Sequence, residues 1–306
     1  MSAPPGRARL ATALLLGVTA VWGSTFFLIR DLVESVPPAD FLAVRFGIAA
    51  VVMFLLFRRQ TLALSRRELR LGVVLGVLYG LAQVLQTMGL QHTDASVSGF
   101  ITGTYVVLTP LLAAVVLRDH VAPVTWGAVA LATAGIALLS LQGLAVGLGE
   151  ALTLVAAVLY AGHIVALGRW STPRAAVGLA TVQAGVITVV TSVAAVPDGL
   201  TLPSDGGQWA SLLYMALAAG ALALWAQTWA QAHLTATRAA IVMAMEPVFA
   251  AFFAVVLGGE DLTRRMLVGG ALVVAAMYLV ELRSTSRDPT ATAAEDPPVE
   301  ALHHDV

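Results

Sequence analysis

Long apolar stretches follow one another along nearly the whole chain, and short polar or arginine-containing segments separate them. Each stretch is about 20 residues long, which lets a helix cross the roughly 30 Å hydrocarbon core of a bilayer. The pattern predicts ten membrane-spanning helices. Their approximate ranges are 10–30, 39–57, 70–91, 96–117, 124–141, 148–168, 176–196, 209–231, 238–257 and 266–282. We therefore expect an all-α polytopic membrane protein that has the lipid bilayer as a partner.

The two ends of the chain depart from this pattern. The first segment, residues 1–9, carries Arg7 and Arg9 before an apolar run, as a signal peptide would. That run continues into "VWGSTFFLIR" without a small-residue cleavage site, so we interpret it as a retained helix. The last segment, residues 283–306, is polar, proline-rich and acidic, which predicts a disordered tail.

Composition narrows the class further. Of the 306 residues, 58% are hydrophobic and 11% are charged, whereas about a quarter of the residues of soluble proteins are charged. Cysteine is absent, which excludes disulfides and thiolate metal ligands. All 17 basic residues are arginines, and the nucleotide-binding motif GxxxxGK[ST] needs a lysine. We expect no cofactor, no metal and no nucleic-acid partner, and a proton gradient, another ion gradient or solute exchange as the energy source.

The arginines predict the orientation of the chain in the membrane. Ten spans would leave both termini on one side. Arg30, Arg264 and Arg265 flank the opposite side, Arg45 lies inside a span, and every other arginine flanks the side of the termini. Because short cytoplasmic loops carry an excess of basic residues, both termini are predicted to be cytoplasmic.

Two halves of the sequence resemble each other. The segments "QTMGLQHTDA" (86–95) and "QTWAQAHLTA" (227–236) share residues at a constant offset of 141 positions, and similar segments follow both. This predicts a first repeat over 10–142 and a second over 148–282. A unit of five helices is odd, so the second copy must cross the membrane upside down. Inverted repeats are typical of secondary transporters whose binding site lies near the midplane.

Polar residues inside the spans occupy one-sided stripes. In span 3, Tyr79, Gln83 and Gln86 share one helical face, and span 4 carries Tyr105 and Thr109 on one face. The other candidates are Tyr160 and His163 in span 6, and Gln227 and Gln231 in span 8. Each could bond one helix to another or line a polar cavity, and for the whole set we predict a cavity. His163 is either a proton relay or a hydrogen-bonded interior group.

Two charged residues also lie inside spans. Arg45 is able to reach the outer surface with its long side chain or to face the interior. Glu246 lies roughly 12 Å inside span 9, too deep for a short side chain to reach water. It must be protonated, paired or hydrated, and it is the candidate for proton coupling. Pro247 removes a helix hydrogen bond next to it, and Pro110 repeats this irregularity in span 4, with Thr109 before it.

These segments resemble the EamA family of the drug/metabolite transporter superfamily over about residues 10–282. The matching segments are "VWGSTF", "FLAVRFGIAA", "TDASVSGFITGTYVVLTPLLAAVVLRD" and "EPVFAAFFAVVLGGE". The resemblance implies ten helices with cytoplasmic termini, arranged as two inverted five-helix EamA repeats around a central cavity. It implies site positions at Trp22, Gly23, Arg45, Pro110, Glu246 and Pro247. After Pro110 the chain departs from the family pattern, since a short stretch ends in Asp119 instead of glutamate.

The resemblance further implies solute transport, in many members export of amino acids, other metabolites or drugs. We expect a secondary transporter in a bacterial plasma membrane that exports a small organic solute, with Glu246 as its proton site. Import or exchange of a charged metabolite, with Arg45 as the anion partner, is the alternative, and a receptor or scaffold is a further one. We expect no catalytic residues, because no HExxH motif occurs. The substrate and the oligomeric state stay open.

Overall fold

The structure, a computed structural model, describes residues 5–117, 123–140, 147–172, 174–195, 199–231 and 242–285. Its first half contains α1 (Pro5–Leu32), α2 (Pro38–Leu62), α3 (Arg66–Leu90), α4 (Ala95–Gly103), α5 (Tyr105–Leu117) and α6 (Pro123–Ser140). Its second half contains α7 (Leu148–Trp170), α8 (Ala176–Ala195), α9 (Gly206–Tyr214), a π-helical segment (Met215–Leu222), α10 (Ala223–Gln231), α11 (Glu246–Val256) and α12 (Arg264–Thr285). In these ranges the regular structure is entirely helical, so the all-α prediction is confirmed.

Seven helical stretches of the described residues are long and apolar enough to cross a membrane. Two of them, Ala95–Ala113 and Gly206–Gln227, run across the junctions between consecutive helices. Two shorter apolar helices, Pro123–Leu139 and Glu246–Val256, come in addition. The multi-pass membrane class is confirmed, while the count of ten spans and the cytoplasmic termini stay predictions.

Local signals in the sequence account for several helix ends. Pro38 is the first residue of α2, where its missing N–H has no intrahelical partner to lose. Ser65 and Glu68 form a capping box at the start of α3, in which the Ser65 hydroxyl accepts from the Glu68 N–H at 3.2 Å. Asp205 caps α9 by accepting hydrogen bonds from two backbone N–H groups.

The helix contacts of one half are repeated in the other. α1 packs against α11, and its counterpart in the second half, α7, packs against α4 and α5. In the same way, α3 packs against α8, and its counterpart, the π-helical segment, packs against α2. The pairs α2–α8, α6–α12 and α4–α11 each join equivalent helices of the two halves. These exchanges are those that two repeats related by a two-fold axis require.

A small-residue ladder on α3 allows close packing against α8. A Cβ atom on Gly72 would lie 2.9 Å from Cγ1 of Val182, and one on Gly76 would lie 2.7 Å from Cβ of Val186. Because only glycine fits at this separation, the two helices meet backbone to side chain. The ladder therefore faces α8.

Spans 4 and 8 are interrupted, although the hydropathy pattern predicts continuous helices over 96–117 and 209–231. The break in span 4 lies at Thr104, between α4 and α5, whereas helical conformation continues through Pro110. The Thr104 hydroxyl donates to the carbonyl of Ile101 at 2.5 Å, a local bond that competes with the helix pattern. The irregularity predicted at Pro110 stays a prediction, since this proline lies inside α5 and has no N–H group to donate to the preceding turn.

Span 8 changes to a π-helix over Met215–Leu222. A π-helix shifts the backbone hydrogen bonds by one residue and leaves one carbonyl in need of another donor. The indole N–H of Trp22 in α1 donates to the carbonyl oxygen of Ala219 at 2.9 Å. The irregularity in one helix is therefore satisfied by a neighbouring helix.

The two largest hydrophobic clusters of the described residues share one neighbour, because Tyr79 packs against both. One cluster includes Leu15, Tyr105, Tyr160 and Met277. The other includes Phe41, Phe46, Ala250 and Ala254.

Candidate functional site

The first turn of α11 lies against two other helices at very short range. A Cβ atom on Gly23 of α1 would lie 2.6 Å from Cβ of Phe249, and one on Gly103 of α4 would lie 2.9 Å from Cγ of Pro247. Pro247 is tolerated there because it occupies the first turn of the helix, where N–H groups have no intrahelical acceptor. Ala244 and Met245 form a turn before it, so Pro247 begins a helix instead of kinking the middle of one.

Glu246 is the first residue of α11, and 8% of its surface is exposed. Its Oε2 atom accepts a hydrogen bond from the Tyr105 hydroxyl at 3.1 Å. The helix N-terminus carries a partial positive charge, which favours a negative group at this position. In the part of the chain that the structure describes, no basic side chain lies within 4.0 Å of its carboxylate. Glu246 is therefore a buried acid that has a hydroxyl donor and no salt bridge.

Tyr105 belongs to the first half of the chain and Glu246 to the second. Their hydrogen bond thus joins the two halves. The comparison of the two sequence halves sets Thr109 at the position of Glu246, and this pairing stays a prediction. In the structure the Thr109 hydroxyl donates to the Tyr105 carbonyl of its own helix, at 2.7 Å.

A hydrogen-bonded chain joins α3, α4 and α7 beside this pair. The hydroxyl of Tyr160 donates to Oε1 of Gln86 at 2.8 Å, and Nε2 of Gln86 donates to the Thr102 hydroxyl at 2.9 Å. All three side chains are buried. Both the oxygen and the nitrogen of the Gln86 amide are thus hydrogen-bonded, which fixes the orientation of the amide.

Tyr79 connects this chain to His163. Its ring centre lies 5.4 Å from that of Tyr160 and 5.1 Å from that of His163. Nε2 of His163 lies 2.6 Å from Oε1 of Gln183 in α8, within hydrogen-bonding distance. This geometry favours the interpretation of His163 as a hydrogen-bonded interior group. The structure therefore brings Tyr79, Gln86, Tyr105, Tyr160, His163 and Glu246 into one region, which we call the central cluster.

Arg45 lies next to the central cluster and is almost fully buried, at 4% exposure. Its guanidinium carbon lies 5.7 Å from the ring centre of Phe41 and 5.1 Å from that of Phe46. The Phe46 ring in turn contacts the Tyr79 ring edge-on, with 6.4 Å between centres. The side chain thus faces the protein interior and does not extend to the outer surface.

Comparisons with known proteins agree with this architecture. A sequence model described as "EamA-like transporter family" matches residues 9–141 and again 147–282. The chain belongs to the EamA-like transporter family. The double match gives one copy of the family unit to each half, and the resemblance seen in the sequence is confirmed.

Relatives of this EamA-family chain carry transporter names. An "Uncharacterized transporter" of Archaeoglobus fulgidus is 31% identical over 279 residues, with 91% of this chain and 88% of that protein covered. The "Uncharacterized inner membrane transporter YedA" of Escherichia coli K12 is 27% identical over 275 residues, covering 88% of this chain and 89% of the relative. A crystal structure with 17% identity covers 90% of this chain and 98% of its own, with a TM-score of 0.64. That likeness shows the shared fold.

The remaining predicted positions of this EamA-family chain lie at various distances from the central cluster. The indole N–H of Trp22 donates to the Ala219 carbonyl of the π-helical segment. Gln227 is partly buried, and its Nε2 atom lies 3.9 Å from Sδ of Met243. Gln83 is buried, and among the described residues its Oε1 has no hydrogen-bond donor. The side chains of Pro110 and Gln231 lie outside the described residues.

Gln183 was missed in the sequence, although it holds His163 in place. It is the single amide of span 7, and no polar residue three, four or seven positions away drew attention to it. A lone amide in a predicted span is therefore a useful signal. As for metals, no group of three or more His, Cys, Asp or Glu side chains occurs within the described ranges.

A second polar cluster lies at the predicted periplasmic face. Nη1 of Arg30 at the end of α1 donates to Oε1 of Glu260 at 2.8 Å, and its Nη2 lies 3.4 Å from Asp94. The Glu260 carboxylate also accepts from the backbone N–H groups of Ala95 at 2.6 Å and Ser96 at 3.3 Å. This Arg30–Glu260 cluster ties the outer ends of α1, α4 and the α11–α12 loop together. It borders a depression of about 550 Å³.

Proposed function

We propose that this chain is a secondary transporter that exports a small organic solute across a bacterial plasma membrane and couples export to protons through Glu246. Membership of a transporter family and the transporter names of its relatives support the general activity. The name of the Escherichia coli relative, an inner membrane transporter, supports the plasma membrane as the compartment. The proposal includes no catalytic step.

The hydrogen bond between Tyr105 and Glu246 is the observation that carries the proposal. It joins the two halves of the chain, and transporters built from inverted repeats have their binding site at the interface between the repeats. A proton or a solute that changes the state of Glu246 would therefore act directly on the contact between the two halves. Few other positions would link chemistry to rearrangement so closely.

The environment of Glu246 favours exchange of its negative charge for a neutral state. Burial of an ionised carboxylate without a cationic partner costs several kcal/mol in general. The Tyr105 hydroxyl, which donates to this carboxylate, carries no positive charge. A proton that enters from the periplasm would neutralise the acid, and release into the cytoplasm would restore the Tyr105 contact.

Import or exchange of a charged metabolite is the second candidate function. The buried Arg45 favours it, because the site then carries one basic and one acidic side chain. Direction is not encoded in either side chain. A transport assay with the solute on either side of the membrane separates the two candidates.

The first experiment identifies the solute. Cells that produce the wild-type chain, Glu246→Gln or Glu34→Gln are compared by untargeted mass spectrometry of medium and cell extract. Glu34 is a matched control because its carboxylate is exposed at the predicted periplasmic face. We expect a metabolite that accumulates in the medium with wild type and Glu34→Gln, and not with Glu246→Gln.

The second experiment tests coupling. Wild type and Glu246→Gln are reconstituted in proteoliposomes with a pH-sensitive dye inside, and the identified solute is supplied. We expect solute movement to carry protons in wild type and to lose that link in Glu246→Gln. Full gradient-driven flux in Glu246→Gln would disprove the coupling role and leave the transporter assignment intact.

A further inference from the structure

We propose that Arg45 binds a carboxylate group of the transported solute, so that the solute is an organic carboxylate with an apolar or aromatic body. The inference rests on the proposed transport function and names the class of solute for the same site. It derives from the burial and the unsatisfied N–H groups of Arg45, a residue that the proton-coupling proposal does not use.

Two of the three guanidinium nitrogens of the buried Arg45 side chain lack a hydrogen-bond acceptor among the described residues. Its exposure is 4%, and neither Nε nor Nη1 has a hydrogen-bond acceptor among the described residues. A buried guanidinium with unsatisfied N–H groups is costly, because its desolvation is not repaid by hydrogen bonds or by an opposite charge. The arrangement is therefore complete only when an acceptor from outside the described chain occupies this position.

The residues around Arg45 indicate the chemistry of the part of the ligand that lies beyond its acid group. Phe41 and Phe46 lie beside the guanidinium, and Phe46 contacts Tyr79, so an aromatic surface extends from Arg45 toward the central cluster. The Tyr79 ring also contacts the rings of Tyr160 and His163, so the aromatic surface that begins at Phe46 continues into the central cluster. A solute with its acid group at Arg45 would lie along this surface with an apolar or aromatic body.

The charge of the site favours a monoanion. Arg45 is the one arginine that lies away from the ends of the predicted spans, and the chain has no lysine. His163 is already within 2.6 Å of Gln183. One guanidinium matches the charge and the planar, two-oxygen geometry of a carboxylate. A phosphate dianion would need further cations that the described site does not contain.

A competing arrangement uses the same residue differently. In another conformation Arg45 could become the counter-ion of Glu246, and no solute carboxylate would then be required. The two ideas differ in the effect of a double substitution. A counter-ion role predicts that Glu246→Gln rescues Arg45→Gln, because both charges disappear together, whereas a ligand role predicts no rescue of carboxylate binding.

Direct binding to the purified protein tests the proposal without any gradient. Thermal unfolding is followed by tryptophan fluorescence in the presence of 3-phenylpropanoate, L-phenylalanine or hexanoate, and of the primary amide of each. We expect at least one acid to raise the unfolding temperature more than its amide does in wild type. Arg45→Gln should raise the Kd of that acid at least about tenfold, the loss expected for a charge-assisted hydrogen bond.

Two further variants keep the result interpretable. Arg59→Gln removes an exposed arginine from the same helix and should leave the Kd unchanged. Arg45→Lys keeps the positive charge and loses the two-pronged geometry, so it should bind with intermediate affinity even if Arg45→Gln does not fold. The proposal is overturned if wild type prefers no acid over its amide, if Arg45→Gln or Arg45→Lys binds as wild type does, or if Glu246→Gln restores binding. Loss of proton coupling alone would leave these binding results unaffected.

Discussion

At the scale of single residues, the Tyr105–Glu246 contact is the most informative feature of the chain. Among the described residues, the Glu246 carboxylate has a hydroxyl donor and no salt bridge. Its ionised form is therefore stabilised less than that of a paired acid, so its charge state is easily exchanged. The donor comes from the opposite repeat. A change in the state of one residue therefore reaches both halves without an intermediate.

Tyr105→Phe removes that donor and keeps the ring. We expect gradient-driven flux of the identified solute in proteoliposomes to fall roughly tenfold, because a hydrogen bond to a charged group contributes about 1.5–3 kcal/mol. Solute exchange without a gradient should fall much less. The measurement compares initial rates of both modes at equal protein density.

Tyr214→Phe is the matched control for Tyr105→Phe. It also removes a tyrosine hydroxyl with a polar partner, the Ser24 hydroxyl at 2.8 Å, but does so outside the central cluster. Both transport modes should stay within about twofold of wild type there. Equal losses of both modes in Tyr105→Phe would assign Tyr105 to solute binding and argue against a role in coupling.

The sequence identified most members of the central cluster but not their pairing. Tyr105 and Glu246 each stood out as polar residues in apolar spans, yet the register between the repeats was ambiguous because alanine and valine fill both segments. Aligning the prolines sets Thr109 opposite Glu246, and nothing in the sequence indicates that the Tyr105 hydroxyl contacts this carboxylate. The burial of Arg45 between two phenylalanine rings depends on the packing of α2 and was equally inaccessible to a one-dimensional pattern.

At the scale of helices, hydropathy located the spans and missed their internal breaks. Spans 1, 3, 6 and 7 end within a few residues of the observed helices. The interruptions at Thr104 and Met215–Leu222 leave the apolar character of the chain unchanged, so no hydropathy pattern records them. Their cause is a change of hydrogen-bond partner, which in the π-helical segment involves Trp22 from a different helix.

Contact between α1 and α11 depends on the absence of a side chain at Gly23. Gly23→Ala would place a Cβ atom 2.8 Å from the backbone nitrogen of Ala250, which cannot move without the whole helix. We expect destabilisation of about 1–3 kcal/mol from overpacking, although alanine favours helix by up to about 1 kcal/mol. A lower unfolding temperature of the purified protein is the expected readout.

Gly17→Ala separates packing from helix propensity on the same helix. A Cβ atom on Gly17 would have no contact within 4 Å. This variant should therefore unfold at the wild-type temperature or slightly above it. If Gly23→Ala behaved in the same way, the close approach of α1 and α11 would not be a feature of the folded protein in solution.

At the scale of the whole molecule, the Arg30–Glu260 cluster joins the two halves of the chain. It ties α1, α4 and the α11–α12 loop at the predicted periplasmic face. A charged carboxylate that accepts from an arginine and from two backbone N–H groups is a strong local tie. Thr102 of the hydrogen-bonded chain lies further along α4 than Ala95 and is buried.

Glu260→Gln should therefore make the central cluster easier to reach from the periplasm. The absence of native cysteine allows a single Thr102→Cys to report access, since Thr102 is buried in the hydrogen-bonded chain of Gln86. We expect a membrane-impermeant thiol reagent, added to intact spheroplasts, to label this cysteine several-fold faster in the Glu260→Gln background. The physical reason is that glutamine keeps an acceptor oxygen for α4 and loses the ionic attraction to Arg30.

Two backgrounds show which contact holds the face closed. Arg30→Gln leaves Glu260 at the N-terminus of α4 and should accelerate labelling less than Glu260→Gln does, because the backbone contacts persist. Glu34→Gln removes an exposed carboxylate of the same face and should leave the rate unchanged. Faster labelling from the cytoplasmic side alone would reverse the predicted orientation of the chain, and unchanged labelling from both sides would show that the cluster stabilises the fold without controlling access.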